Sequence, residues 1–584
     1  MENLQVLLEE KADFAIKRAF AELIDTKVEI TPCLQEQLGH YQCNSALKLA
    51  KNLNINPREV AKKIISFFDL YDADGEKMID NLEIAGPGFI NITLNSEFLS
   101  KQLDKALKDV YLGVKLPSRK EKIIVEFSSP NIAKELHVGH LRSTIIGDCI
   151  ANLFEFLEQD VIRLNHIGDW GTQFGMLIAF MKEKSPHVLE GREKADPATL
   201  TKWYKQAKKL FDEDRDFQKK AYEQVIKLQA ENSDSIKAWK IICSLSRIAY
   251  EEIYELLNIN IIDRGESFYN PYLKKIIDDL ESKNIISISD GAKCIFLEGF
   301  KNREGRPLPI IIQKSDGGFN YDTTDMAAFW HRCIIEKADR IIIVTDAGQS
   351  LHFKMIYQAA VKAGYIDPKK THFDHVAFGL VIGPDGKKFK TREGETEKLI
   401  DLLLKAVSHA KKILIKRNPD LGEKDIDGLA NILGIGAVKY ADLSSLRTKD
   451  YFFSYEKMLK LEGNTAAFLE YSYVRILGIK RKTKVNINEI IKNTKISLEH
   501  PSEISLGLHL RRFGEVLQIV SRDLLPNRLT DYLYQLAEKF NAFFRDCRVE
   551  GSNKEKQRLA LCEITAKILE KGLNILGLKT MSRM

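Results

Sequence analysis

Glu126-Phe-Ser-Ser-Pro-Asn-Ile-Ala-Lys-Glu-Leu-His-Val-Gly-His140 decides how this chain is read. It begins as the end of an apolar, β-branched run, Ile123-Ile124-Val125, which has strand character. Ser-Ser-Pro-Asn then turns the chain, and two histidines around a glycine open a helix. A strand end, a tight turn and a helix N-terminus make an anion site, because the first backbone N–H groups have no partner inside the helix and the dipole adds positive potential. A glycine lets the backbone approach a phosphate closely. Imidazoles can donate hydrogen bonds to charge developing on a phosphoryl group. His137 and His140, three residues apart with Gly139 between them, share one face of that helix. A bare H-x-x-H also fits half a metal site; Asp169 could offer a third ligand, but no Cys/His cluster supports it. The blandest reading is two capping or core histidines.

Outward from the motif, strand 123–127 leads to helix 139–157, a short strand at 161–165 and a turn at Gly168-Asp-Trp-Gly171. Residues from about 182 to 310 carry a charged helical pattern that interrupts this β-α order. The order resumes at Pro309-Ile-Ile-Ile-Gln313 and Arg340-Ile-Ile-Ile-Val-Thr345, apolar runs that read as buried parallel strands. From about 425 the pattern is helical to the end, with Gly434, Gly463 and Pro501 as breaks. Before the motif, residues 1–115 read as a small α+β domain: Leu4 to Ile24 is helically periodic, and Glu83 to Leu94 is a turn feeding an alternating strand. A polar linker follows at 117–122. The expected domains are therefore 1–115, 116–425 with the insertion at about 182–310, and 426–584.

A second basic element is Gly383-Pro-Asp-Gly-Lys-Lys-Phe-Lys-Thr-Arg392, rich in glycine and preceded by strand-like Val376 to Ile382. Alone it would read as a solvated hairpin. Paired with the histidine motif, it resembles the other half of the class I aminoacyl-tRNA synthetase site, with His137-Val-Gly-His140 in the place of "HIGH" and Lys388-Phe-Lys-Thr-Arg392 in the five positions of "KMSKS". The wording of Phe127 to Asp148, His166 to Gly175, Tyr321 to Asp325, Gly386 to Arg392 and Gly434 to Asp442, continuing to Met584, is similar to the bacterial-type arginyl-tRNA synthetases over essentially the whole chain. Thr391 stands where the standard loop has its second lysine. In this family a lysine just before the first motif is thought to take over, and Lys134 sits there.

The resemblance implies a Rossmann-like class I catalytic core, an α+β N-terminal domain that touches the tRNA elbow, and an all-α anticodon-binding bundle. It implies an arginine–tRNA ligase that makes arginyl-adenylate from ATP and then arginyl-tRNA. His137, His140, Lys134, Lys388 and Lys390 are the expected catalytic residues, with Lys387 sharing their role. ATP would meet His137, Gly139, His140, Lys388, Lys390, Thr391 and Arg392. Mg²⁺ would arrive with ATP, without a dedicated metal site. A guanidinium is a planar fork of donors, so carboxylates should receive it. By resemblance these are Glu126 and Asp325, with Tyr321 as a wall or stacking partner; Asn131 and Gln349 hold the α-amino group, Ser129 lines the turn, and Glu266 is a weaker carry-over. Read singly, Glu126 is a surface strand residue and Asp325 a helix cap. The family's F-G-D-Y-Q-x-N stands here as Leu38-Gly-His-Tyr-Gln-Cys-Asn44 and departs at Leu38 and His40. In the last third, Arg475, Arg511 and Arg512 with Tyr471, Tyr473, Tyr532, Tyr534, Phe540, Phe543 and Phe544 are candidates for stacking on anticodon bases, although helical spacing favours core for most.

Composition bounds the rest. A chain of 584 residues is too long for one core and points to three or four domains. Net charge is only +6, which excludes a polycationic binder but permits local RNA surfaces. Eight scattered cysteines with no C-x-x-C pair argue against a zinc ribbon or redox motif. The N-terminus has no basic n-region or apolar h-region, and no apolar run approaches the ~18 residues of a spanning helix, so a cytosolic location is expected; a monomer is a separate expectation. Two rivals remain: a nucleotidyl-transfer enzyme of the same fold acting on a small acid without RNA, and a non-catalytic paralogue that only binds.

Overall fold

The site is carried by five parallel strands: β1 (Lys122–Glu126), β2 (Asp160–Asn165), β3 (Ile262–Asp263), β4 (Arg340–Asp346) and β5 (His372–Phe378). The computed structural model describes residues 1–21, 28–33, 35–133, 135–383, 398–417, 419–483 and 485–583. Their order across the sheet is β5-β4-β1-β2-β3, so the winding direction reverses between β1 and β4. In such sheets the connections on either side of the reversal leave in opposite directions and open a crevice at the carboxyl ends of the two strands. Glu126 ends β1 there. Ile124, Leu164, Ile341 and Ile343 are buried in the sheet core, which explains the uninterrupted apolar runs. Helix α1 (Val138–Phe156) follows β1 and is fastened back to the sheet by the Ser143 hydroxyl, which donates to the Val344 carbonyl at 2.6 Å.

The interrupting segment is itself interrupted. Helices Pro197–Glu213, Arg215–Gln229 and Ser233–Leu257 each start at an Asp or Asn cap: Asp196, Asp214 and Asn232. The chain then returns to the parallel sheet as β3 before leaving again through helix Asn270–Ser282. Strand Pro307–Gln313, read from sequence as a parallel core strand, instead pairs antiparallel with Ala292–Lys301 in a separate three-stranded sheet. Only Ile310 and Ile312 along it are buried. One face is covered and one is not, but an unbroken apolar run hides that alternation. The second half of the parallel sheet is β4 and β5, joined by helix α3 (Ser350–Lys362) and preceded by helix α2 (Tyr321–Trp330). Gly434 does not break a helix. It lies inside Glu423–Leu443, where a Cβ would stand 2.7 Å from the backbone of Val407 on helix Leu399–Arg417. It is there for close helix contact.

Two compact units emerge. The one described above spans Ser118–Met458 with Ile575–Leu578. The other comprises Met1–Pro117, Leu459–Asn574 and Lys579–Met584. In it a four-stranded antiparallel sheet (Ile30–Pro32, Tyr41–Cys43, Phe89–Leu94, Ile79–Ala85 in spatial order) is joined to a C-terminal helical bundle. The buried Tyr41 hydroxyl donates to Glu515 at 3.0 Å, and the Ile496 and Leu498 N–H groups reach Asp104 and Ser100. His40, where the 38–44 turn departs from the family pattern, is buried and accepts the Leu94 N–H at Nδ1. That turn locks the sheet. Among the described residues no helix is long and apolar enough to cross a membrane.

Candidate functional site

Between β1 and α1 the backbone takes an unusual path. Ser128, Ser129 and Ala133 all have positive φ (67°, 48° and 62°). Non-glycine residues pay for that conformation, and three in six positions persist only if the surroundings hold them. Here Ser143 accepts the Ser128 N–H (2.9 Å), Asn165 accepts that of Ser129 (3.0 Å) and Ser246 accepts that of Ala133 (3.1 Å). The Tyr254 hydroxyl lies 2.6 Å from Ser128 Oγ. Ser246 and Tyr254 both belong to insertion helix Ser233–Leu257, so the insertion braces the loop between β1 and α1.

The loop delivers His137 as the N-cap of α1. Its Nδ1 accepts the Gly139 N–H, and His140 Nδ1 accepts the N–H of His137, both at 3.1 Å. This is a reciprocal capping box built from imidazoles. A ring that accepts at Nδ1 carries its proton on Nε2, so capping and donation to a ligand are compatible in the same residue. The rings lie 4.1 Å apart. At Gly139 a Cβ would meet the His137 ring at 2.9 Å, so the close approach needs glycine. Behind the helix start, buried Arg142 pairs with Asp442 (3.1 Å) and donates to the carbonyls of Gly379 and Lys449. Removing either partner would strand a buried charge at a cost of about 3–5 kcal/mol.

The opposite end is acidic. Glu126, 4% exposed, pairs through Oε2 with Arg332 at 2.5 Å. Arg332 sits in a π-helical turn, His331–Ile335, that continues α2. Asp325 Oδ2 lies 2.6 Å from His352 Nε2, and Asp322 Oδ1 lies 3.4 Å from His352 Nδ1. Tyr321 is 61% exposed, with its ring edge-on to His352 at 5.1 Å. Glu266 is pushed up to about 8, first by burial and then by Asp325 and Asp169. Asp169, the possible third metal ligand, accepts both the N–H and the hydroxyl of Ser267 instead. Among the described residues no group of three or more His, Cys, Asp or Glu is placed to hold a metal ion.

A cavity of about 730 Å³ joins the two ends. Every described residue expected at the site lines it: His137, Gly139 and His140 on one side, Glu126, Ser129, Asn131, Glu266, Tyr321, Asp325 and Gln349 on the other. Lys134, Lys387, Lys388, Lys390, Thr391 and Arg392 lie outside the described residues. The chain on either side of 384–397 is at the same place: Val381 lines the cavity, and Lys398 forms an antiparallel bridge with His137. Sequence reasoning missed Arg332, His352, Asp322 and the Arg142–Asp442 pair. Asp322 lay inside a quoted motif, and His352 stands three residues after Gln349, one helical turn on. Nothing in the sequence marks Arg332.

The family model "tRNA synthetases class I (R), catalytic domain" matches residues 102–455. "Arginyl tRNA synthetase N terminal domain" matches 7–94 and "DALR anticodon binding domain" matches 469–584. The chain belongs to the arginyl-tRNA synthetase family. It is 60% identical to an arginine–tRNA ligase of Protochlamydia amoebophila over 95% of this chain and 94% of that one. It is 49% identical to the Chlamydia caviae arginine–tRNA ligase over 97% of each. The crystal structure of arginyl-tRNA synthetase from Plasmodium falciparum superposes with a TM-score of 0.88 at 34% identity, covering 100% of both chains.

Within the span matched by the anticodon-binding model, a second cavity of about 500 Å³ is lined by Tyr471, Arg475, Lys482, Phe544, Arg545 and Arg548. The Arg475 guanidinium lies 4.7 Å from the Tyr471 ring and 5.6 Å from that of Phe544. Those two rings are 37% and 41% exposed, whereas Tyr473, Tyr532, Phe540 and Phe543 are buried in the bundle. Arg511 is also buried and donates to the Glu2 carbonyl.

Proposed function

We infer that this chain is an arginine–tRNA ligase whose reaction runs across the cavity at the β1–β4 reversal. The observation that carries this reading is the cavity's polarity. One end holds imidazole donors at a helix N-terminus, and the other holds carboxylates on the strand end and helix that line the same cavity. ATP lies with its phosphates at the histidine end, and arginine lies with its guanidinium at the acidic end. The arginine carboxylate then faces the α-phosphorus. It attacks in line, a carboxylate O–P bond forms, the bond to the bridging oxygen breaks, and pyrophosphate leaves. The terminal ribose hydroxyl of tRNA next attacks the adenylate carbonyl, and AMP leaves with the bonding electrons. Neither step needs a strong base so much as positive charge and oriented donors.

In this reading the Nε2–H groups of His137 and His140 donate to the phosphates. Lys134, Lys388, Lys390 and Arg392 supply the cations on the pyrophosphate side, and Thr391 a hydroxyl. Asp325 and Glu126 receive the guanidinium beside Tyr321. Asn131 and Gln349 hold the α-amino group, with Ser129 on the turn and Glu266 as a further carboxylate. Mg²⁺ enters with the ATP phosphates as part of the substrate. The exposed Tyr471–Arg475–Phe544 group suits one unpaired anticodon base, stacked on an aromatic face beside basic side chains. The chain works as a cytosolic monomer. The test is ATP–pyrophosphate exchange with arginine, with and without tRNA for arginine, and with lysine as control. Exchange that requires arginine is expected. Exchange with no amino-acid preference would return the chain to the broader class of nucleotidyl-transfer enzymes, and no exchange by folded, ATP-binding protein would favour the binding-only paralogue.

A further inference from the structure

Asp325 does not face the cavity as a free carboxylate. Oδ2 is held by His352 Nε2 at 2.6 Å, whereas Oδ1 is approached by His166 Nε2 only to 3.9 Å, beyond hydrogen-bond reach. The other ring nitrogen of His352 faces Asp322 at 3.4 Å. An imidazole bonded to one carboxylate at Nε2 and facing a second at Nδ1 is held in its cationic form. Burial opposes that charge, but the bonds to Asp322 and Asp325 outweigh it and push the ring up to about 9. The edges of Tyr321 and Phe353, each 5.1 Å away, close two more sides of the ring. His352 is thus fixed by α2 and by its own helix, and the orientation of Asp325 is fixed with it.

The same arrangement recurs at the acidic end, where Arg332 takes one oxygen of Glu126. Each carboxylate already has one oxygen committed to an internal cation. Fork-to-fork pairing of a guanidinium with both oxygens of Asp325 would have to share Oδ2 with His352, whose bond already takes one of that oxygen's two lone pairs.

We propose that His352 is a positioning residue of the arginine site: braced by Asp322, it holds Oδ2 of Asp325 and so fixes the carboxylate with its less committed oxygen, Oδ1, for the guanidinium, whose remaining donors go to a second carboxylate. This rests on the reading of Asp325 as a guanidinium acceptor. A fork of donors spread over two half-committed carboxylates demands a planar group with N–H bonds pointing apart, which a compact ammonium lacks.

The test compares His352→Ala with His352→Gln in arginine-dependent ATP–pyrophosphate exchange, with Asp325→Asn alongside. His352→Ala should raise the arginine KM about tenfold or more, as loss of a charge-assisted hydrogen bond does. The ATP KM should stay unchanged and kcat should fall much less. His352→Gln keeps an N–H donor for Oδ2 and should recover most of the loss, which a merely space-filling role would not predict. An unchanged arginine KM in folded His352→Ala overturns the proposal if Asp325→Asn is impaired. If Asp325→Asn also has a normal arginine KM, the guanidinium assignment itself falls, and the proposal with it. Should His352→Ala fail to fold, ¹⁵N-histidine spectra of the unaltered full-length protein decide. The His352 ring signals, assigned by their absence in His352→Gln, should move on adding arginine but not lysine; signals that ignore arginine overturn the proposal.

Discussion

On the proposed reading, the two walls of the cavity solve the same problem, holding a charged ligand, by opposite means. The β1–α1 wall uses backbone. Its left-handed residues, their N–H groups satisfied by neighbouring hydroxyl and amide side chains, lead into a histidine-capped helix start that contributes its dipole. The α2–α3 wall is regular helix and does its work with formal charges: Asp322, Asp325 and His352, with Glu266 nearby. The difference is what the two proposed ligands would require. Phosphate is large and already hydrated, and it is bound well by many oriented partial charges. A guanidinium is one cation that must be desolvated, so it needs full negative charge, and full negative charge in a half-buried cavity needs counter-ions while the cavity is empty. Arg332 and His352 are those counter-ions. The phosphate wall should therefore be sensitive to shape, and the arginine wall to charge and pH.

Asp325→Asn should break the arginine wall most severely. It keeps the shape, removes the charge and leaves His352⁺ facing an amide. A loss of about 2–5 kcal/mol in arginine kcat/KM is expected, as for truncated buried charge pairs. Pyrophosphate exchange at varied arginine measures it, and a melting temperature close to the parent's shows that folding is not the cause. On the other wall, His140→Ala should lower kcat by roughly 10²–10³-fold, as loss of one oriented donor does, with the arginine KM little changed. It also removes a cap worth about 1 kcal/mol. His140→Gln separates the two effects, because a glutamine at the same helical position can still reach the N-cap N–H. It should recover the melting temperature but not kcat. If His140→Ala raised the arginine KM as much as Asp325→Asn, the division between the walls would be wrong.

The contrast also explains what could be read from the sequence. The phosphate wall was legible because backbone solutions leave local marks: a β-branched run, a Ser-Ser-Pro-Asn turn, and glycine between histidines within eighteen residues. Even the competing reading of His137 and His140 as caps is realised, at the nitrogen that leaves Nε2 protonated. The arginine wall was legible only through resemblance. Asp325 and Glu126 look like any helix or strand carboxylate, and their counter-ions come from elsewhere: Arg332 follows Glu126 by more than two hundred residues, in a π-turn that no periodicity announces. Pro307–Gln313 was misplaced for a related reason, since an apolar run does not say which face is covered. Gly434 looked like a break because composition cannot distinguish a flexible glycine from one that admits a neighbouring backbone.

The smallest expected effect is the most discriminating, because it touches only the charge balance. Glu266 holds its proton up to about pH 8, owing first to burial and then to Asp325 and Asp169. Between the ordinary carboxylate range and pH 8 the folded chain therefore carries a proton that the unfolded chain has lost. The contribution to stability is fully present below the unfolded value and is lost as pH rises through about 8. An arriving guanidinium reverses the preference, since a cation beside Glu266 favours the carboxylate. Arginine binding below pH 8 should then release a proton, and the arginine KM should fall several-fold from pH 6.5 to 8. Glu266→Gln is neutral throughout. Its arginine KM should be flat over that range, and its melting temperature should gain on the parent's as pH rises. Glu470, raised to about 8 by its own burial, is the same in both proteins and cancels from the difference. The ATP KM should follow one pH course in both, because the phosphate wall does not include this group. A parent arginine KM that ignores pH between 6.5 and 8 would mean that Glu266 does not meet the guanidinium, leaving Asp325 and Glu126, each already half-committed, to bind it alone.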